Sequence, residues 1–339
     1  MEERGPTSIA VVTDPMTEKL CLPLLAPHLP PGTQFLRLGQ HGEKIKSIEH
    51  AHAMWDSLEG MGMDRKGLVI ALGGGTITDL TAFVASTYLR GVACWLVPTT
   101  LLAMVDAAIG GKTGINFQGF KNRIGTFHHP EGISIHAGFL DTLGARQMAN
   151  GWAEHIKHLL LFSASPLPFR EGDALHAVFT DGPDTADLEA AILESIRFKL
   201  DIVDRDQRET AGIRQWLNLG HTAGHALESW AMEQGLDLHH GEAVAWGLRV
   251  ALTLSEQHGA CPQAEPGCFS SASALIEALI PLPVKPPEAK TLWPLMLTDK
   301  KNSDGQVNMV LLNGQGQPVY PVCVTAEAFE GAVQAMQAN

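Results

Sequence analysis

The 339-residue chain carries four histidines between positions 221 and 240. The run Asn218-Leu219-Gly220-His221-Thr222-Ala223-Gly224-His225 sets His221 and His225 one helical turn apart, a spacing that can turn both rings toward one metal ion. His239-His240-Gly241-Glu242 then opens the next helical stretch with two more rings and a carboxylate. Two or three imidazole nitrogens plus one carboxylate is the composition of a catalytic zinc site that keeps one position open. Upstream, Glu154, Lys157 and His158 lie at i, i+3 and i+4 on one helix face. On spacing alone they read as an exposed Glu–Lys pair worth a few tenths of a kcal/mol.

Glycine points to a second kind of chemistry. Gly73-Gly74-Gly75 follows an apolar run and precedes a helical stretch that carries Asp79. Such a turn either lets a phosphate approach the backbone at a helix N-terminus or simply reverses the chain tightly. Ile109-Gly110-Gly111-Lys112-Thr113-Gly114 resembles the end of a P-loop, but Asp106 stands where that motif needs glycine, so the P-loop reading fails. What remains is a glycine-rich turn with Lys112, closely followed by Lys121 and Asn122, a set suited to an anion. Arg214 and Lys300-Lys301 read singly as solvent-exposed.

These residues need a scaffold, and hydrophobic periodicity outlines one. Ile9–Val12, Phe35–Leu38, Leu68–Leu72 and Val92–Val97 are compact apolar runs that read as strands. Helical spacing fills Ile45–Gly60 and Thr76–Leu89 between them. Strands alternating with helices imply crossover units and a mostly parallel sheet covered on both faces. From about residue 150 the pattern changes. Gly151–Phe162, Asp187–Val203, His221–Gln234 and Gly241–Glu256 all carry helical periodicity, with few strand signals between them. The boundary is expected near 148, giving an α/β domain over 1–148 and a mostly α-helical domain over 149–339. Pro281–Pro287 reads as a proline-rich connector.

Composition narrows the class further. Lys and Arg number 24 against 37 Asp and Glu, for a formal net charge of −13, and 45% of residues are hydrophobic. That balance argues against non-specific binding to nucleic acid or to an anionic membrane face, and it supplies a sizeable core. The acidic N-terminal text lacks a signal-peptide pattern, and no run of eighteen apolar residues occurs. Five scattered cysteines, Cys21, Cys94, Cys261, Cys268 and Cys323, suit reduced thiols, so a cytoplasmic location is expected.

Taken together, several segments resemble the 3-dehydroquinate synthase family. They are GGGTITDLTAFVASTYLRG at 73–91, VPTTLLAMVDAAIGGKTGINFQGFKNRIGTF at 97–127, GWAEHIK at 151–157, LNLGHTAGHALES at 217–229, HGEAVAWG at 240–247 and DKKNSDG at 299–305. The resemblance implies a Rossmann-like, NAD-binding N-terminal α/β domain, a mostly α-helical C-terminal metal-binding domain, and an active site in the cleft between them. It carries the family's zinc ligands onto Glu154, His221 and His240; His225 then becomes a substrate-facing residue. NAD-contacting positions fall on Glu43, Lys46, Gly75, Thr76, Ile77, Thr78, Asp79, Thr99, Thr100, Phe139, Leu140, Asp141 and Thr142. Lys112 and Lys121 match lysines at the junction of cofactor and substrate. Substrate-contacting positions fall on Asp106, Asn122, Lys157, Lys199, Arg214, Asn218 and His225, with one or both of Lys300 and Lys301. Arg90 matches an arginine that reaches the neighbouring subunit's site, which implies a homodimer.

The implied reaction converts 3-deoxy-D-arabino-heptulosonate 7-phosphate, a small anionic sugar phosphate, to 3-dehydroquinate and phosphate in the shikimate pathway. Transient oxidation by NAD at a zinc-polarised hydroxyl, phosphate elimination, reduction, ring opening and an aldol closure make up the sequence, with cobalt able to replace zinc. The chain departs from the family pattern by one extra residue between Lys199 and Arg214, near Ala211, and by His128-His129 before Pro130. Two other classes share the architecture. A valiolone- or deoxy-inosose-type sugar phosphate cyclase would change the substrate-facing set, whereas Arg214, Asn218 and His225 all remain. A metal-dependent NAD alcohol dehydrogenase would lack the paired Lys112 and Lys157, because an uncharged polyol needs no cations.

Overall fold

The computed structural model describes residues 5–118, 120–162, 185–257, 269–298, 306–313 and 317–338. The chain divides into two compact units, Met1–Met148 and Ala149–Asn339. In the first, β1 (Ile9–Thr13) leads through the short helices α1 (Pro15–Leu20) and α2 (Leu22–Leu25) to β2 (Gln34–Arg37). Then follow α3 (Ile48–Gly60), β3 (Leu68–Gly73), α4 (Gly75–Thr87) and β4 (Ala93–Pro98). Beyond them β5 (Ile115–Phe117) pairs antiparallel with β6 (Phe120–Ile124), and β7 (Gly132–Ile133) completes the main sheet. That sheet is parallel, with strand order β2-β1-β3-β4-β7.

The periodicity finds its reason in burial. Val69, Ala71 and Leu72 of β3 are wholly buried, as a central parallel strand covered on both faces requires. Ala51, Met54 and Leu58 of α3 and Leu80 and Val84 of α4 cover the face that carries Val69 and Ala71. α3 begins at Ile48 rather than Ile45 because Ser47 is its N-cap, its hydroxyl accepting from His50 N, while Glu43–Ile45 forms a separate 3₁₀ turn. The triglycine is a strand-to-helix turn with Gly74 as N-cap. A Cβ on Gly74 would stand 2.9 Å from Thr100 Cγ2, so the turn passes close to the residues just after β4.

The second unit is mostly helical. It contains α5 (Ala145–Phe162, whose first residues belong to the first unit), α6 (Thr185–Arg205), α7 (His221–Glu233), α8 (His240–Gln257), α9 (Ser270–Leu279), α10 (Ala289–Leu297) and α11 (Ala326–Ala338). The antiparallel hairpin β8 (Val307–Leu312) and β9 (Pro318–Val324) joins them; Leu312 N donates to Ser255 Oγ of α8 at 2.9 Å. α7 and α8 lie back to back through glycine. A Cβ on Gly247 would fall 2.0 Å from the carbonyl oxygen of Gly220, whose own φ of +77° is left-handed. No helix among the described residues is long and apolar enough to cross a membrane.

Candidate metal centre and cofactor-contacting residues

Three elements of the second unit bring donor atoms to one point. Glu154 projects from α5, His221 is the first residue of α7 and His240 the first of α8. Glu154 is fully buried, and its Oε1 lies 3.4 Å from His221 Nε2 and 3.3 Å from His240 Nε2. Two ligand atoms each about 2.0–2.1 Å from a tetrahedral ion lie about 3.3–3.4 Å apart. The donor set and its spacing therefore fit a zinc-type ion. His225 stands beside it, its ring 5.3 Å from that of His221 and 5.9 Å from that of His240, yet the compact Glu-His-His donor group contains His221 and not His225.

Helix packing fixes these positions. Asn150 sits one turn before Glu154, and its Oδ1 accepts from Gly241 N, which pins the start of α8 against α5. Glu242 Oε2 accepts from His239 N at 2.7 Å and caps the same terminus. A Cβ on Gly241 would fall 2.1 Å from Asn150 O, so the approach demands glycine.

Electrostatics in the pocket follow from burial and neighbours. Burial opposes ionisation of Glu154, but Lys157 and His221 outweigh it and hold the carboxyl well below its usual range. Lys157 Nζ is ion-paired with Glu154 Oε2. Glu154 and Lys157 are 0% and 1% exposed, so the solvent-exposed pair suggested by their spacing is instead a buried one, enclosed by the packing of α5. Burial pushes His221 down to about 4, leaving it neutral and able to ligate. Burial also opposes protonation of His240, but Glu228 and Glu154 overcome it and push it up to about 10. A metal held by Glu154, His221 and His240 would require His240 to give up its Nε2 proton.

Lys199 and Arg214 are likewise buried, again unlike the exposed arginine expected from sequence. Asp206 explains Arg214. Its carboxylate accepts from the main-chain N–H of Thr210, Ala211 and Arg214 at 2.8, 2.9 and 3.1 Å, folding residues 206–214 into a compact turn. Arg214 Nη1 donates to Gln207 O at 2.9 Å, and Asn218, on the same 3₁₀ turn, donates to Gln215. Lys300 and Lys301 lie outside the described residues.

In the first unit, Lys46 is 3% exposed and donates from Nζ to Asp79 Oδ2 at 2.7 Å and to Asn122 Oδ1. Glu43 accepts from Asn116 Nδ2 at 2.9 Å and from Thr76 Oγ1 at 3.2 Å. These bonds gather Glu43, Lys46, Thr76, Asp79 and Asn122 at the start of α4, beside Gly75, Ile77 and Thr78. Thr99 follows β4 and donates from its N–H to Gly73 O at 3.0 Å, while Thr100 Oγ1 accepts from Ala103 N. Asp106 lies in a single π-turn over Ala103–Ala107. Phe139 to Thr142 form part of a 3₁₀ turn, with Phe139 and Leu140 buried and Asp141 and Thr142 exposed. Lys112, Lys121 and Arg90 are exposed, Arg90 with a left-handed φ of +66°. Asn116, Asn150, Asp206 and Glu228 escaped the sequence reading as site residues. Each acts on a neighbour through a bond that no spacing rule signals.

A parallel α/β unit with a glycine turn at a helix N-terminus, followed by a helical unit holding a Glu-His-His donor set, defines a two-part fold suited to a dinucleotide and a metal. The solved structure of ValA, a 2-epi-5-epi-valiolone synthase from Streptomyces hygroscopicus subsp. jinggangensis 5008 with NAD⁺ and Zn²⁺ bound, shares it with a TM-score of 0.82 at 29% identity, covering 98% of this chain and 91% of that one. More specifically, family models described as 3-dehydroquinate synthase N-terminal and C-terminal match residues 38–150 and 151–302. A 3-dehydroquinate synthase of Leptospira interrogans is 40% identical over 290 residues, covering 84% of this chain and 77% of the relative. One from Pyrococcus abyssi is 42% identical over 260 residues, covering 76% and 74%. The chain belongs to the 3-dehydroquinate synthase family.

Proposed function

We propose that the chain acts as a carbon–oxygen lyase, converting 3-deoxy-D-arabino-heptulosonate 7-phosphate to 3-dehydroquinate and phosphate in the cytoplasm. The observation that carries this reading is the buried Glu154-His221-His240 donor set, spaced for a tetrahedral ion, in a chain 40% identical over most of its length to a 3-dehydroquinate synthase. Bound there, the metal supplies Lewis-acid polarisation of a substrate hydroxyl, and NAD supplies a reversible hydride acceptor.

The chain's own residues bind and orient. The N-terminus of α4, opened by the triglycine turn, offers N–H groups to the dinucleotide's pyrophosphate, while Glu43, Lys46, Thr76 and Asp79 form a polar cradle beside it. Lys157 holds a cation against Glu154, keeping that carboxylate ionised for the metal and offering N–H donors to substrate oxygens. Arg214, fixed by Asp206 and Gln207, presents a preorganised fork for a carboxylate or phosphate, while Lys112, Lys199 and the Lys300-Lys301 pair act as point charges. Asp106, Asn122, Asn218 and His225 orient hydroxyls. No side chain is assigned as the sole base.

The active species is a homodimer in which Arg90 reaches the partner's site. Supporting this, Phe117, Phe120, Ile124 and Phe127 expose apolar surface on or just after the β5–β6 hairpin, and Leu89 does so next to Arg90 in the chain. A bond of 2.7 Å from Thr126 Oγ1 to Ser86 Oγ ties that region to the end of α4, just before Arg90.

Purified protein supplied with zinc and NAD should release phosphate from the heptulosonate phosphate; a chelator should abolish release, and zinc or cobalt should restore it. Absence of release, with turnover of sedoheptulose 7-phosphate instead, would overturn the assignment in favour of a valiolone-type cyclase. Arg90→Ala chains should lose turnover yet regain part of it when mixed with Lys157→Met chains, since only a shared site permits complementation.

A further inference from the structure

The two histidines of the candidate metal centre are held from behind in different ways. Both aim Nε2 at Glu154 Oε1, so Nδ1 of each ring points away from the donor cluster. Behind His221, Nδ1 lies 3.1 Å from the carbonyl oxygen of Leu219. Behind His240, Nδ1 lies 3.4 Å from Glu228 Oε2. A carbonyl or carboxylate oxygen can only accept, so each contact places the ring proton on Nδ1 and leaves the Nε2 lone pair for a metal. His221, His225 and Glu228 follow one another at i, i+4 and i+7 on α7, so one helix face delivers a ligand, a neighbouring ring and this carboxylate. Glu228 is buried at 7% exposure, and nothing in the donor geometry of Glu154, His221 and His240 requires it.

We propose that Glu228 is a positioning residue of the metal centre: by accepting the Nδ1–H of His240 it fixes that ring's orientation and tautomer and so raises metal affinity. The proposal rests on the reading of Glu154, His221 and His240 as the ligands. The physical need is specific to His240. The carbonyl of Leu219 is part of the turn that carries His221 and is always present, whereas His240 begins α8 and meets its acceptor only through packing of α8 against α7. Without Glu228, a neutral His240 can carry its proton on Nε2, where it blocks ligation, and the ring can rotate away from Glu154.

The test is metal binding by metal-free protein, with cobalt titrated and followed through its d–d absorption bands and zinc measured by competition with a chelator. Wild-type protein should bind one equivalent, and His240→Ala should abolish tight binding. Glu228→Ala should bind on the order of 10–100-fold more weakly, with shifted cobalt bands. Glu228→Gln keeps an acceptor oxygen but loses the charge, so it should recover part of the affinity and remain short of wild type. Circular dichroism of the metal-free variants verifies that they fold; should the alanine variant fail, the glutamine variant alone decides. Wild-type affinity and unchanged cobalt bands in folded variants would overturn the orienting role. So would a second equivalent of metal in wild type that is lost in Glu228→Ala, because Glu228 would then be a ligand together with His225 and His240, whose donor atoms also gather within 4.8 Å. Failure of wild-type protein to bind any metal would instead overturn the ligand assignment itself.

Discussion

Gly241→Ala should open the candidate metal centre without touching a ligand. A Cβ at this position would stand 2.1 Å from Asn150 O, against the 3.0 Å below which real Cβ atoms are essentially never found. The start of α8 must therefore retreat from α5 by about 0.9 Å, the difference between those two distances. His240 is the preceding residue and moves with it, while Glu154 stays on α5. Ligand atoms hold their distance to a metal within about 0.2 Å, so a displacement several times larger should weaken zinc binding at least 10-fold and lower turnover by about 100-fold. Overpacking costs about 1–3 kcal/mol, only partly offset by the roughly 1 kcal/mol that alanine gains over glycine in a helix. Gly331→Ala is the matched control. Gly331 lies within α11, nothing stands within 4 Å of a Cβ there, and the same substitution should raise the melting temperature. Zinc affinity by chelator competition and thermal melting of both variants complete the assay. If Gly241→Ala were stabilised like the control and kept wild-type zinc affinity, the close approach of α8 to α5 would not be what positions His240.

Lys157→Met should leave the buried Glu154 carboxylate without one of its two neighbouring cations, costing about 1–3 kcal/mol in metal-free protein; zinc should restore part of it, so the melting-point gain on adding zinc should exceed that of wild type while phosphate release is lost. Lys46→Met removes the donor to Asp79 and Asn122, and calorimetry should show NAD binding weakened by about 10-fold or more with zinc affinity unchanged. His155 is buried between α5 and α6, its Nδ1 2.8 Å from Ser195 Oγ and its ring edge-on to Trp152, and burial lowers its pKa to about 3, with His158 adding to the effect. Because the folded value lies below the unfolded 6.5, its contribution is fully present above pH 6.5 and disappears as pH falls from 6.5 toward 3. Wild-type protein should therefore lose stability over that window by a few kcal/mol more than His155→Gln; parallel acid-unfolding curves would show that His155 is not held neutral by burial.

Much of the first unit is legible in sequence because covered parallel strands are continuous apolar runs. β1, β3 and β4 each begin within a residue of their predicted starts. The β5–β6 hairpin is not, since every residue of β6 is exposed and no alternation marks it. α5 extends six residues upstream of Gly151, which looks like a boundary but lies buried inside the helix. At the site, chemistry was legible in composition and its partners were not. Histidines at i and i+4 suggest a shared ion on one helix, yet the donor group around Glu154 joins the first residues of two helices to a glutamate on a third, while His225 falls in a separate group with Glu228 and His240. Only packing decides that, and the packing turns on glycines whose role is the absence of a side chain.

Charge shows the same division between what a sequence counts and what a fold places. A net charge of −13 would seem to disfavour an anionic substrate. Yet Lys157, Lys199 and Arg214 are nearly or fully buried, where an unpaired cation is costly. Two of them are held by groups nearby in the sequence: Lys157 by Glu154 on the same helix, and the Arg214 turn by Asp206. Buried cations act in a medium of lower effective dielectric, where one charge outweighs many on a solvated surface, and screening by salt reaches them least. Among the described acidic residues only Asp14, Glu154, Asp206, Glu228 and Glu242 are buried, so the others lie at least partly in solvent, where they favour solubility. It follows that raising ionic strength should weaken binding of an anionic substrate far less than the loss of one of these three cations does.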